Sequence, residues 1–272
     1  MSWSSSGPAW LFCPADRPER VEKAMALADL AIADLEDGVA PERRAAAREA
    51  LSSMDLAGRD VVVRVNPVGS PDHGPDLEVV DRLGAPLVMV AKSESPEGLA
   101  ALAPRSVVAL CETPLGLSRV EEIASVANVV ALMWGAEDLA AGLGGTSSRR
   151  ADGSLSDVSR YARARALLAA RVAGVGALDT VHLTIEDDEG LQVEAAGAAA
   201  MGFDATPCIH PRQVAIVRAA YRPSEEQLAF ARRVVAAWGG SSGVIRVDGV
   251  MVDGPVVAQA RRLITRAGER SD

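Results

Sequence analysis

Eight short apolar runs recur along the chain, and a segment with helical character follows each of them. Continuous Val, Ile and Leu are typical of strands in parallel sheets, which are buried on both faces. The runs are Trp10–Cys13, Ile32–Leu35, Val61–Val65, Leu87–Ala91, Val107–Leu110, Val129–Met133, Leu178–Leu183 and Ala205–Ile209. Eight strand–helix units predict an α/β fold of the (β/α)8 TIM-barrel type, with a doubly wound open sheet as the alternative.

The composition suits such a barrel. The chain has 272 residues, of which 49% are apolar but only 3% aromatic, so its core must be built from small aliphatic side chains. The three cysteines, Cys13, Cys111 and Cys208, are far apart and form no CxxC pair. We expect them to be small buried hydrophobic residues rather than disulfide partners or zinc ligands.

Net charge and the length of the apolar runs argue against nucleic acid and membrane as partners. The net charge is −9 and no long basic block occurs, which argues against nucleic acid as the main partner. No run of about 18 apolar residues is present, so a membrane span is not expected. The first eight residues lack a basic region followed by an apolar core, and we therefore expect a cytoplasmic protein.

The C-terminal segment has its own pattern. Ser224 and Gln227 have the spacing of a capping box, and an amphipathic helix follows them. Asp248-Gly249 provides a turn for a hairpin, and Asp253-Gly254-Pro255 opens a last helix. The sequence therefore predicts a barrel domain over residues 1–222 and a helix–hairpin–helix extension over residues 223–272.

Carboxylates follow two consecutive apolar runs. Glu112 comes after the fifth run and Asp138 after the sixth, so neighbouring strands would bring both to one edge of the sheet. Two such carboxylates repel each other unless a proton or a cation lies between them, and Mg²⁺ is the usual hard cation. Alternatively, each carboxylate caps the helix that follows it or pairs with an arginine.

Basic residues also lie at the predicted strand ends. Arg64 closes a strand of valines and suits bidentate binding of a substrate carboxylate, although it could equally pair with Glu36 or Asp37. Arg17 and Lys23 flank a helix start, which favours phosphate, but exposed basic residues are common on a first helix.

Three further candidates have weaker support. Lys92 lies at the end of the fourth run and could contact phosphate or form a Schiff base, but nothing around it indicates a lowered pKa, and no covalent role is assigned to it. His182 and His210 follow the last two runs, and both are expected to be structural rather than general bases.

Several motifs, in this order, resemble the citrate lyase β-subunit-like proteins, which belong with malyl-CoA lyases in the aldolase/citrate lyase superfamily. They are WLFCPADRPER from Trp10, DLEDGV from Asp34, VRVN from Val63, AKSES from Ala91, LCETPLG from Leu110, WGAEDL from Trp134 and CIHPRQ from Cys208. The match spans almost the whole chain, so it is specific for the family and much less specific for the substrate.

The resemblance implies a Mg²⁺-dependent TIM barrel that acts on acyl-CoA thioesters as a homotrimer or a dimer of trimers. Glu112 and Asp138 match the metal ligands, and Arg64 matches the arginine that steadies substrate oxygens. Glu36 and Asp37 match acidic positions that orient water and substrate. Beside Asp138, Glu137 is expected to support its loop rather than to bind the metal.

The resemblance also assigns binding and lid positions. Pro14, Arg17 and Lys23 lie where the family meets CoA phosphates, and Gly135 and Ala136 are expected to contact substrate or CoA. Met251 to Pro255 resembles a lid segment whose aspartate, Asp253 here, enters the active site of a neighbouring subunit. Asp253 could instead simply precede a helix that begins with proline.

The expected activity is that of a carbon–carbon lyase. It would cleave or form β-hydroxyacyl-CoA thioesters of the malyl-, methylmalyl- or citramalyl-CoA type, giving an acyl-CoA and a keto acid. A thioesterase that uses the same metal site is one alternative, and a non-catalytic subunit of a larger lyase complex is another.

Overall fold

The apolar runs of the sequence form one eight-stranded parallel sheet in the computed structural model, which describes residues 7–84, 87–239 and 243–269. The strands lie in the order β7-β6-β5-β4-β3-β2-β1-β8. A parallel bridge between Leu178 and Ala205 joins the two outer strands, and this contact closes the sheet. The predicted TIM barrel is confirmed, and the open-sheet alternative is wrong.

The barrel strands and the helices between them have the following bounds. The strands are β1 Ala9–Pro14, β2 Leu30–Asp34, β3 Val61–Val65, β4 Leu87–Val90, β5 Ser106–Cys111, β6 Val129–Trp134, β7 Gly176–Leu178 and β8 Thr206–Cys208. The helices are α1 Pro18–Leu27, α2 Arg44–Ser52, α3 His73–Arg82, α4 Pro96–Ala100, α5 Pro114–Ser118, α6 Val120–Ala124, α7 Ala136–Gly142, α8 Asp157–Ala173, α9 Asp188–Met201 and α10 Pro211–Tyr221.

The seventh strand lies earlier than the sequence predicts. The prediction was Leu178–Leu183, whereas the ladder of β7 ends at Leu178, which pairs with Met133 of β6. The pairing of β7 with β6 stops at this pair, one residue before β6 itself ends at Trp134. The alternating residues that follow are loop, and Leu183 and Ile185 in them are exposed.

Alternate residues of the strands fill the barrel interior. Trp10, Ile32, Val62, Met89 and Leu110 belong to one buried cluster, in keeping with the period of two along a strand. Continued by two residues, the same alternation reaches Phe12, Asp34, Arg64 and Glu112. The apolar core of the barrel therefore ends in a charged layer at the carboxyl ends of the strands, the end where barrel enzymes hold their active sites.

The C-terminal residues form a separate compact unit, Ala219–Asp272, which follows the barrel unit that ends at Arg218. Helix α11, Glu225–Trp238, begins with the predicted capping box of Ser224 and Gln227. Strands β9 Ile245–Val247 and β10 Val250–Val252 form the predicted hairpin, and α12, Gly254–Arg266, completes the unit. The helix–hairpin–helix extension is confirmed. The boundary at residue 222 and the roles of lid and oligomer contact stay predictions.

This unit has an apolar core of its own. Val234 of α11, Val247 and Val252 of the hairpin and Ile264 of α12 pack in one cluster. The turn between the strands places Asp248 and Gly249 at φ values of 51° and 85°, the left-handed conformation that an Asp-Gly hairpin turn requires. Across the described residues of the whole chain, no helix is long and apolar enough to cross a membrane.

Candidate metal and substrate site

Arg64 is the buried cation at the carboxyl end of the barrel. The register of β2 and β3 pairs Asp34 with Arg64, and the guanidinium Nε and Nη2 donate to the two carboxylate oxygens of Asp34 at 2.7 and 2.6 Å. The guanidinium also lies 4.9 Å from the ring centroid of Phe12. This bidentate pair fixes the orientation of Arg64. The sequence analysis missed Asp34, although the inward alternation of β2 leads to it.

Glu36 is shared between two cations. Its Oε2 lies 3.1 Å from Nη1 of Arg64, and its Oε1 accepts a hydrogen bond from the ammonium of Lys92. Burial raises the pKa of Glu36 above its ordinary value, against the opposing effects of these two cations. The neighbouring Asp37 accepts from the Lys92 ammonium at 3.0 Å, and this contact lowers the pKa of Asp37 although burial opposes it.

Lys92 joins these acidic residues to the predicted metal ligands. Its ammonium lies 3.4 Å from Oδ1 of Asp138, and its backbone N–H donates to Oε1 of Glu112 at 3.0 Å. The backbone φ of Lys92 is 47°, a left-handed conformation that is uncommon for residues other than Gly, Asn or Asp. The sequence placed Lys92 at the end of the fourth run and gave it no covalent role, whereas its contacts with Glu36 and Asp138 are visible only in the structure.

Glu112 is a buried carboxyl group directly after β5. Burial, followed by repulsion from Asp138, raises its pKa to about 8, although Arg64 and Lys92 oppose the shift. A Cβ on Gly135 would lie 2.7 Å from the Cβ and 2.8 Å from the Oε2 of Glu112. Glycine at position 135 therefore leaves the space in which the Glu112 carboxyl group lies.

Asp138 lies in the first turn of α7. Beside it, Glu137 accepts a hydrogen bond of 2.5 Å from the hydroxyl of Ser148, which ties the start of α7 to the loop before α8. Asp138 is about one-third exposed, so it is the more accessible of the two predicted metal ligands.

We call the following residues the mouth cluster: Asp34, Glu36, Asp37, Arg64, Lys92, Glu112 and Asp138. Five carboxyl groups in it face two cations, so the formal charge is negative. No group of three or more His, Cys, Asp or Glu side chains in the described residues forms a ready metal cage. Two carboxylates, Glu112 and Asp138, fit Mg²⁺, which commonly binds one or two protein carboxylates and completes its shell with water and substrate.

The predicted CoA positions lie on β1 and α1. Pro14 is the half-buried last residue of β1, and Arg17 is the exposed residue that precedes α1. Lys23 is exposed within α1, roughly 9 Å along the helix axis from Arg17 at 1.5 Å per residue. Ala136 is buried, and its N–H donates to Oγ1 of Thr180 at 3.2 Å.

Asp253 caps helix α12. Its Oδ1 accepts from the backbone N–H of Val256 at 3.2 Å, so the local alternative, a residue that precedes a proline-led helix, describes its position within the C-terminal unit. Entry of Asp253 into a neighbouring subunit's active site stays a prediction.

A second charged group, which we call the β7 cluster, follows the seventh strand and consists of Arg149, Arg163, Asp179, His182 and Glu194. Asp179 accepts from Nη2 of Arg163 at 2.5 Å. The imidazole Nδ1 of His182 lies 2.8 Å from Glu194, which also binds Arg149. Although burial opposes it, these bonds from His182 and Arg149 lower the pKa of Glu194 to about 2.

The two histidines and three cysteines considered in the sequence make contacts typical of structural residues. The backbone carbonyl of His182 accepts a hydrogen bond from Gln213 at 2.9 Å, and Nδ1 of His210 accepts from the backbone N–H of Arg212 at 3.3 Å. The three cysteines are buried and free, as predicted. Burial raises the pKa of Cys13 and of Cys208 to about 12, which makes them poor nucleophiles.

Comparison with known proteins places this arrangement in a family. Residues 9–211 match the family described as HpcH/HpaI aldolase/citrate lyase. The chain belongs to this family. All seven residues of the mouth cluster lie within the matched range, whereas Asp253 lies beyond it.

Individual members of the HpcH/HpaI aldolase/citrate lyase family are similar over nearly the whole chain. A citrate lyase subunit beta-like protein of Mycobacterium tuberculosis is 53% identical over 269 residues, which cover 99% of this chain and 98% of the relative. The mitochondrial citramalyl-CoA lyase of Homo sapiens is 31% identical over 293 residues, which cover 95% and 85%.

A solved structure of the family is also similar. The crystal structure of CitE from Mycobacterium tuberculosis in complex with magnesium, acetoacetate and coenzyme A has a TM-score of 0.93 and 54% sequence identity. The likeness covers 97% of this chain and 98% of that chain.

Proposed function

We propose that the chain is a Mg²⁺-dependent carbon–carbon lyase that cleaves or forms β-hydroxyacyl-CoA thioesters of the malyl-, methylmalyl- or citramalyl-CoA type. The observation that carries the proposal is the pair of acidic residues Glu112 and Asp138 beside buried Arg64. The relative crystallised with magnesium, acetoacetate and coenzyme A supports the same ligand classes here.

Cleavage next to a carbonyl group develops negative charge on an enolate oxygen, and a fixed cation stabilises that charge most effectively. Mg²⁺ held by Glu112 and Asp138 would supply a Lewis acid at this oxygen. Arg64 directs Nε, Nη1 and Nη2 toward Asp34 and Glu36. A guanidinium has five N–H groups, so this pairing leaves donors for a carboxylate or keto oxygen of the substrate.

The remaining predicted residues have supporting roles in the proposal. Glu36 and Asp37, which Lys92 holds in place, would orient water and substrate beside the acidic pair. Pro14, Arg17 and Lys23, with Gly135 and Ala136, would line the approach of the CoA group. The protein would work as a homotrimer or a dimer of trimers, in which Asp253 of a neighbouring copy exchanges a proton with the acyl-CoA carbon or the hydroxyl group.

The test is product analysis of the purified chain with Mg²⁺ and a panel of malyl-, methylmalyl- and citramalyl-CoA. A lyase releases an acyl-CoA and a keto acid, whereas a thioesterase releases free CoA and a hydroxy acid. We expect Asp138→Asn to abolish turnover and the Mg²⁺-dependent rise in melting temperature, because it removes one of two charged ligands. Asp253→Asn should lower turnover but leave that rise unchanged.

The matched control is Asp55→Asn, which changes an exposed aspartate in the loop before β3. It should turn over as the wild type does. Free CoA as the main product would favour the thioesterase. Absence of turnover and of Mg²⁺ binding in the wild type would contradict the enzyme assignment and favour a non-catalytic subunit.

A further inference from the structure

Lys92 is chemically unusual in this chain. Only two of the 28 basic residues are lysines, and the other, Lys23, is exposed on α1. Lys92 instead lies at the carboxyl ends of the strands, where its ammonium contacts Glu36, Asp37 and Asp138. A lysine in this position is therefore not explained by a general preference for lysine in the chain.

One residue contacts both predicted metal ligands. The backbone N–H of Lys92 donates to Glu112 at 3.0 Å, and its ammonium lies 3.4 Å from Asp138. The left-handed backbone, with φ of 47°, departs from the extended conformation of β4 just where these two contacts are made. The backbone and the side chain of Lys92 thus both contact carboxylates of the mouth cluster.

Lys92 is the cation of the mouth cluster whose ammonium contacts Asp138, one of the two predicted metal ligands. Arg64 is committed to Asp34 through two bonds and to Glu36 through a third contact. Lys92 is the cation that contacts Asp37 and Asp138. A dication bound by Asp138 would share this carboxylate with the ammonium of Lys92, and two positive charges on one partly buried carboxylate repel each other.

We infer that Lys92 is a resident counter-cation that competes with Mg²⁺ for Asp138 and thereby sets the metal affinity of the site. The inference rests on the metal assignment of the proposed function. A lysine suits this role because its ammonium is a compact charge on a flexible stem, whereas an arginine binds as a rigid fork. The ammonium can release Asp138 while it remains bound to Glu36 and Asp37.

The test is the Mg²⁺ affinity of Lys92→Met, measured by titration calorimetry beside the wild type in the same buffer. We expect the dissociation constant to fall on the order of tenfold, because a competing positive charge has been removed. Without metal, the variant should melt at a lower temperature than the wild type. Added Mg²⁺ should then raise its melting temperature by more than it raises that of the wild type.

Two substitutions serve as controls for charge and position. Lys92→Arg keeps the positive charge and should stay within about threefold of the wild-type Mg²⁺ affinity. Arg59→Met removes a positive charge from an exposed residue before β3, and it should leave the Mg²⁺ affinity unchanged. Asp138→Asn should abolish binding both alone and together with Lys92→Met.

Equal or weaker Mg²⁺ binding by Lys92→Met would overturn the inference and limit Lys92 to holding Glu36 and Asp37. If the wild type itself bound no Mg²⁺, the metal assignment would fail, and the role of Lys92 would fail with it. If Lys92→Met does not fold, Lys92→Gln replaces it, because glutamine is neutral but still donates a hydrogen bond toward Glu36.

Discussion

The mouth cluster and the β7 cluster are built from the same kinds of residue but differ in charge balance. In the mouth cluster, five carboxyl groups face Arg64 and Lys92, and the pKa of Glu112 rises to about 8 because of burial and of Asp138. In the β7 cluster, Asp179 has Arg163, and Glu194 has Arg149 and His182. There, the pKa of Glu194 falls to about 2.

The difference in charge balance suggests different tasks for the two clusters, cation binding in the mouth cluster and structural support in the β7 cluster. An excess of carboxyl groups in a buried site is unfavourable until a cation or a proton arrives, and this is the electrostatic condition that the proposed Mg²⁺ site requires. Matched pairs have no such requirement, and they hold loops and helices in position. Buried charge alone would not distinguish the two clusters, whereas the direction of the pKa shift separates Glu112 from Glu194.

The largest expected effect is the loss of stability when a matched pair is broken. Arg163→Met would leave the buried Asp179 carboxylate with Trp134 as its remaining side-chain donor in the described structure. Removing one partner of a buried pair typically costs about 3–5 kcal/mol. We expect a loss of about 3 kcal/mol in the free energy of unfolding, measured by urea denaturation. A loss below about 1 kcal/mol, the usual value of an exposed pair, would contradict the supporting role of the β7 cluster.

A smaller effect of opposite sign is expected in the mouth cluster. The pKa of Glu112 is raised in the folded state from its ordinary value of 4.5. Its contribution to stability is therefore fully present below pH 4.5 and is lost as the pH rises through about 8. Glu112→Gln mimics the protonated form. At pH 9 without metal, it should be more stable than the wild type by about 1–3 kcal/mol, and at pH 5 the two should be nearly equal.

The matched substitution for this measurement is Glu194→Gln. The pKa of Glu194 is lowered, so its contribution is present above pH 4.5 and is lost as the pH falls toward 2. Glu194→Gln should therefore destabilise the protein at pH 7, and its deficit should shrink in acid. If Glu112→Gln and Glu194→Gln changed the free energy of unfolding in the same direction at neutral to alkaline pH, the contrast between the clusters would be wrong.

The smallest effect is expected where the two clusters meet. Ser148 donates to Glu137, which adjoins Asp138, and Ser148 itself adjoins Arg149. Ser148→Ala should reduce the free energy of unfolding by about 1 kcal/mol, the usual net value of one hydrogen bond. Chemical denaturation of Ser148→Ala, Arg163→Met and the double variant would measure whether the two losses add. Strict additivity would show that the clusters are energetically independent.

The sequence predicted the barrel and its charged end well, because both follow from short-range patterns. Continuous apolar runs identified the strands. Arg64 near the end of the third run, and Glu112 and Asp138 in the segments that follow the fifth and sixth runs, were the candidates at the strand ends. The family resemblance then supplied roles that the pattern alone left open. Asp34 was missed because it lies within a strand, where its inward direction depends on the alternation inside the barrel.

Other features depended on contacts between distant residues. The strand end at which Lys92 lies was predicted, whereas its left-handed φ and its contacts with acidic residues after other strands follow no local pattern. The seventh strand was placed too late because Thr180 to Ile185 alternates as a strand does, whereas the pairing with β6 ends at Leu178. For Glu194, a helical position in an alanine-rich segment gave no sign of its link to His182.

Asp179 also has a role in closing the barrel. The outer strands β7 and β8 meet through the Leu178–Ala205 bridge, and the backbone N–H of Asp179 donates to the carbonyl of Ala205 at 2.9 Å. The same residue binds Trp134 of β6 and Arg163 of α8 through its side chain. The cylinder of strands closes at this bridge, and the aspartate beside the bridge also links it to the adjacent strand β6 and to helix α8 in the outer layer.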